Sequence, residues 1–193
     1  MTLLQQIQND AIESDGDIGA LLRRCRILAQ RLGVAEFKEW VVCELEGYPS
    51  EEDLPKYRVI RTPLSFGYFV GAYGRVMKNG QIPIGAIPET LRDDLTTLRF
   101  AESVGSITDL IRQDRNDLHL HWPADYIAFV GQGNIYSGMH LLQAWRIINV
   151  SQMSDILSQI RNRVLSFALE LESRNPEAGE SLPSRSTVSV EQV

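Results

Sequence analysis

Residues 31–60 read RLGVAEFKEWVVCELEGYPSEEDLPKYRVI. The stretch ends one helix, builds a second, closes it with a glycine and launches the first strand. No Asp or Ser opens the second helix; Gly33 does, and residues 34–45 then keep the helical period. At about 100° per residue, Val34, Phe37, Trp40, Val41 and Leu45 share one arc. Glu36, Lys38, Glu39 and Glu46 share the other. Gly47 suits the position just past the helix, where a positive φ favours glycine. Pro49 and Pro55 bar any helical continuation.

Glu44 breaks that pattern, because it falls within the apolar arc between Phe37, Trp40 and Val41. A carboxylate placed there needs a partner. One reading makes it a general acid/base or a ligand-binding group in a pocket. The other makes it a buried acid that holds Arg58, Tyr57 or a loop backbone in register. A lone carboxylate, with no second acid or histidine in its segment, is a weak catalytic signal, which favours the structural role. The aromatic and basic residues around it, namely Trp40, Tyr48, Tyr57, Arg58 and Arg61, together with Glu44, form a candidate binding surface, since Tyr and Arg favour interfaces.

Working outward, residues 3–12 mark a short first helix. Asp17 is a plausible N-cap for a second helix carrying Ile18, Leu21, Leu22, Cys25, Leu28, Ala29 and Leu32 at three- and four-residue spacing. With the Trp40 helix they make a three-helix N-terminal group. From Tyr57 the period changes to that of strands, over 57–61 and 64–70. Asn79-Gly80 suits both positive-φ positions of a type I′ turn and marks a hairpin. Gly67, Gly71 and Gly74 match neither dinucleotide nor phosphate-loop spacing; they read as bulges or a flexible rim. Pro83 and Pro88 bracket a loop, with a short helix over 88–95 and a strand over 96–100. Ser106-Ile107-Thr108-Asp109 resembles a capping box that starts a helix running to about Gln113.

The Asp114–Asp117 turn leads into Leu118-His119-Leu120-His121, whose alternation puts both histidines on one face. They suggest a metal pair, completed by His140 or Asp117; the alternative is a half-exposed strand with Leu118 and Leu120 inward, and with only three histidines in the chain no metal site is assigned. Pro123 fits the first position of a helix to about Val130. Residues 139–149 read as a last strand, central in its sheet because both faces are apolar. The final helix carries Met153, Ile156, Leu157, Ile160, Val164, Phe167, Ala168 and Leu171 in one stripe, with Ser151 as N-cap. The whole is an α+β fold: an N-terminal three-helix group, a mostly antiparallel sheet and a long C-terminal amphipathic helix. Residues 1–174 form the domain. Residues 175–193 are rich in Pro, Ser and charge, and read as a disordered tail or linker.

Composition narrows the function. The chain has 193 residues and a net charge of −6, so nonspecific binding to nucleic acid through a basic surface is disfavoured. Arg23, Arg24, Arg26 and Arg31 still form a local basic cluster, on which a nucleic-acid adaptor role would have to rest. Cys25 sits within an apolar stripe and reads as a buried reduced thiol. No signal peptide precedes residue 10 and no run reaches the roughly 20 apolar residues of a spanning helix. A cytoplasmic protein without cofactors is expected.

The run EFKEWVVCELEGYP, followed by DLPKYR, resembles the AbiTii domain of bacterial abortive-infection and phage-defence proteins. LLQQIQNDA near the start, RILAQRLG before the quoted run, WPAD from Trp122, LLQAWRII from Leu141 and RVLSFALELE from Arg163 are similar to the same family. The resemblance covers about residues 2–174 and implies a role in phage defence, often beside a separate partner domain. It brings no catalytic motif to carry over. The expected function is therefore a sensor, regulator or oligomerisation module without its own catalysis, with a protein partner or self-association. The competing reading is a toxin-type nuclease or nucleotide hydrolase, for which Glu44, Arg58, Asp117, His119 and His121 must converge.

Overall fold

The computed structural model describes residues 1–62, 64–113 and 117–174. The expected tail at 175–193 and most of the Asp114–Asp117 turn lie outside them. Two compact units divide the chain: the first takes Met1–Ser50, Ala101–Asp109 and, of the described residues, 155–174, and the second takes Glu51–Phe100 and Leu110–Ser154. The class is α+β, with helices at both ends and antiparallel sheets.

The first unit opens with α1 (Leu3–Ile12). A capping box that sequence reading passed over holds its start. Thr2 Oγ1 accepts the Gln5 N–H at 3.1 Å, and Gln5 Oε1 accepts the Thr2 N–H at 3.1 Å, so two otherwise orphaned donors are satisfied. Helix α2 (Ile18–Leu32) begins as expected on Asp17, whose Oδ1 accepts from the Gly19 and Ala20 amides at 2.8 and 3.1 Å. Gly33 belongs to the end of α2 rather than to the start of α3 (Ala35–Glu46): with φ 69° it is a left-handed C-cap whose N–H returns to Ala29 O. Val34 takes the N-cap position of α3 without a side-chain bond.

The apolar stripes close this unit. Leu4, Ile7, Leu21, Leu22, Cys25, Leu28 and Val41 are buried, together with Ile156, Ile160, Val164 and Ala168 of the last helix. Phe37 of α3 stacks on Phe167, ring centroids 4.0 Å apart.

In the second unit a 3-10 turn at Lys56–Arg58 precedes β1 (Val59–Arg61), shorter than the strand expected from Tyr57. A four-stranded antiparallel sheet runs β3-β2-β6-β5, from β2 (Ser65–Gly71), β3 (Val76–Ile82), β5 (Asp117–His121) and β6 (Met139–Asn149). Helix α4 (Glu89–Thr96) leads into β4 (Thr97–Arg99), which pairs with β1 in a separate ribbon. Between Pro123 and β6 lies α6 (Ala124–Gly131), with Pro123 one position earlier than expected, at the N-cap. As the two-sided apolar pattern of β6 required, that strand is central, flanked by β2 and β5. Phe69, Ile82, Ile87, Leu95, Trp122, Val130, Met139, Leu141 and Ala144 form the core of this unit.

Three further local expectations need correction. The hairpin turn between β2 and β3 is not at Asn79-Gly80 but at Ala72–Arg75. Its central residues, Tyr73 and Gly74, have φ 57° and 73°, and the Arg75 N–H reaches Ala72 O at 3.2 Å. Asn79, φ 58°, sits inside β3 at a bulge: between the pairs Gly67–Gly80 and Phe69–Met77, β2 advances two residues and β3 three. Asn-Gly satisfies either geometry, and the pairing of Ser65 with Ile82 selects the bulge.

Next, α5 (Val104–Ile111) starts from Ser103, whose Oγ accepts the Ser106 N–H at 3.2 Å, and not from Ser106. The earlier start puts Val104 and Ile107 on one buried face. Finally, α7 (Val150–Arg174) follows β6 directly, so Ser151 lies in its first turn rather than at its cap.

Gly80 makes the β2–β3 packing testable. A Cβ there would lie 2.7 Å from Met77 Sδ and 2.9 Å from two carbons of the Phe69 ring. Urea unfolding of Gly80→Ala is expected to show a loss of about 1–3 kcal/mol, as for other overpacked cores. Gly85 has nothing within 4 Å of an added Cβ, and Gly85→Ala should stay within about 0.5 kcal/mol of the parent.

Candidate functional site

The carboxylate singled out by its place in the helical period is fully buried: Glu44 is 0% exposed, in the last turn of α3. Gly47, φ 97°, then reverses the chain, and a Cβ there would come 3.0 Å from Ala101 O. The reversal lets the Tyr48 N–H donate to Ala101 O at 2.8 Å and brings its ring back over the helix end. The Tyr48 hydroxyl donates to Glu44 Oε1 at 2.6 Å, a short contact of the kind a charged acceptor makes. Beside it a cleft of about 510 Å³ is lined by Glu46, Gly47, Tyr48, Glu102, Ser103 and Ser106 among others. Glu44 is not part of that lining.

The other candidate residues divide between the units. Trp40, half-buried on α3, stacks with Phe37 at 5.8 Å. In the second unit Tyr57 and Arg58 are 6% and 0% exposed, so neither side chain offers the free surface that a Tyr–Arg interface needs. The Arg58 guanidinium donates through Nη1 to Phe100 O at 2.8 Å, while its own carbonyl accepts the Phe100 N–H at 2.9 Å. Of the three residues there, only Arg61 faces solvent.

His119 and His121 do share one face of β5, an edge strand, where both rings lie against Trp145 with centroids 5.8 and 6.1 Å away. Leu118 and Leu120 are not buried, so this strand lacks the expected inward face. Among the described residues no group of three His, Cys, Asp or Glu side chains is placed to hold a metal ion.

Two buried arginines escaped the sequence reading. Arg146, 8% exposed in β6, donates through Nη1 to Asp94 O at 2.9 Å and Thr97 O at 3.0 Å. Burial pushes its pKa down, with Asp94 opposing the shift. Arg161 of α7 donates through Nε to Glu13 O at 3.2 Å and through Nη2 to Gly16 O. Each guanidinium grips the carbonyls at a helix end or loop. The available signal was a cation inside an apolar pattern, at 146 between Trp145 and Ile147 and at 161 beside Ile160.

Neither cysteine forms a disulfide. Burial raises the Cys25 thiol to about 12, helped by Asp10.

The AbiTii family model matches residues 2–192 of the 193-residue chain. The chain therefore belongs to the AbiTii family, and the match runs on through residues 175–192, which sequence reading had placed outside the resemblance. Membership implies a role in bacterial abortive infection and phage defence. No curated protein and no solved structure matches. No helix among the described residues is long and apolar enough to cross a membrane.

A structural role for Glu44 has a measurable signature. Glu44→Gln and Tyr48→Phe should each lower unfolding stability by about 1–3 kcal/mol, and the double variant should fall short of their sum. Additive losses would show that the two side chains act independently. A thiol reagent at neutral pH should label Cys43, which is half-buried, and reach Cys25 only on unfolding, since the thiolate is the reactive form.

Proposed function

We propose that this member of the AbiTii family acts in phage defence as a non-catalytic module, meeting a protein partner or a second copy rather than turning over a substrate. One observation carries the reading: each of the buried Glu and Arg side chains among the described residues makes a hydrogen bond within its own unit. Glu44 takes the Tyr48 hydroxyl, Arg58 the Phe100 carbonyl, Arg146 the Asp94 and Thr97 carbonyls, and Arg161 the Glu13 and Gly16 carbonyls. A catalytic group needs its proton or lone pair directed at a reacting atom in a cleft; these groups are directed at the main chain or at a neighbouring side chain. Of the other residues an enzyme would need, Asp117 is exposed at the start of the edge strand β5, and His119 and His121 stand on the same strand against Trp145.

In this reading the protein fits a cytoplasmic sensor or regulator. The aromatic and charged residues of the Trp40 helix contribute to its contacts.

Phage challenge of bacteria expressing the chain tests the proposal. Protection should survive replacement of His119 and His121 together by alanine, with the melting temperature unchanged. Loss of protection by that double variant at full stability would overturn the module reading in favour of a nuclease or nucleotide hydrolase.

A further inference from the structure

The face of α2 opposite its buried stripe is unlike an ordinary solvated face. Ile27 lies at its centre, 49% exposed. Around it a shallow groove of about 600 Å³ is lined by Arg23, Arg26, Gln30 and Arg31, with Lys38 reaching in from α3. Four cations thus surround one exposed isoleucine, on a chain whose net charge is −6.

We infer that this groove takes an acidic amphipathic helix of a protein partner, one that sets an apolar side chain on Ile27 and carboxylates against Arg23, Arg26, Arg31 and Lys38. Charge complementarity selects the sign of the occupant. Two of the pairs already present are weak holds: Arg23 meets Asp17 at 3.3 Å and Arg26 meets Glu46 at 3.2 Å, with all four side chains at least half exposed. Exposed pairs of this kind contribute little and exchange readily for other carboxylates. Lys38 has no ion-pair partner among the described residues.

The dimensions select a helix. Arg23 to Arg31 spans about 12 Å of α2, roughly two helical turns, and apolar anchors at helical spacing are how a helix sits in such a groove. The exposed isoleucine at the centre favours an apolar side chain over a phosphate backbone, and the acidic remainder of the molecule repels a polynucleotide. The inference rests on the module reading above and adds the chemistry of the partner.

The probe is a fluorescein-labelled synthetic peptide of about 14 residues, four helical turns, with glutamates at helical spacing around a central leucine. Its binding to the full chain is followed by anisotropy. Saturable binding that weakens with salt is expected, and Ile27→Glu or Lys38→Glu should each weaken it about tenfold, or about 1.4 kcal/mol. Both residues are exposed, so circular dichroism should not change. Absence of binding, equal binding by the variants, or displacement of the peptide by an RNA duplex of equal charge would each overturn the proposal.

Phage challenge separates its failure from that of the module reading. Full protection by both groove variants removes the groove alone, whereas the His119 and His121 variant addresses the module.

Discussion

A guanidinium taken out of water must find acceptors, and the acceptors Arg146 finds are the carbonyls of Asp94 and Thr97 where α4 gives way to β4. Carbonyls at a helix end have no partner within the helix, so this one side chain meets two needs at once. It ties the central strand of the large sheet to the start of the ribbon strand. Arg161 repeats the device in the first unit, clasping the loop that joins α1 to α2 from a helix that begins more than a hundred residues later. Breaking such a contact leaves a buried cation without compensation, which costs more than the bond itself contributes. These positions resist substitution for reasons of fold.

The sheet depends on a second constraint, close approach around Phe69. Gly67 and Gly80 pair across β2 and β3, and the Phe69 ring occupies the space their missing side chains leave. Tyr136 meets that ring edge-on at 4.9 Å and donates its hydroxyl to Gln81 O at 2.6 Å. The bulges at Lys78–Asn79 and at Leu142 follow from fitting this large ring into antiparallel strands that otherwise keep register.

Much of this was legible where periodicity is strong. The stripes of α2 and α7, the Asp17 cap, the central position of β6 and the burial of Glu44 followed from spacing alone. What was not legible shared a cause: a local signal compatible with two structures and decided by distant pairing. Asn79-Gly80 fits a turn or a bulge, and the Ser65–Ile82 register chose. Ser103 and Ser106 can both cap a helix, and the need to bury Val104 chose. At the site, Glu44 was found because it interrupts a helix. Arg146 was missed because a strand gives only a two-residue period, against which one cation is weak contrast.

The first unit is assembled from three separated stretches of chain, the last of them in α7. During synthesis, α1 to α3 leave the ribosome able to pack on one another, but the side of the group that meets α7 stays uncovered until residues 155–174 follow. At about 5–20 residues per second, the hundred or so intervening residues impose a delay of roughly 5–20 s. Over that interval the second unit can close its sheet from residues 51–154 alone. The N-terminal helices are thus the first part of the protein to be made, while the side of them that meets the last helix, Phe37 against Phe167 among its contacts, is covered only at the end of translation.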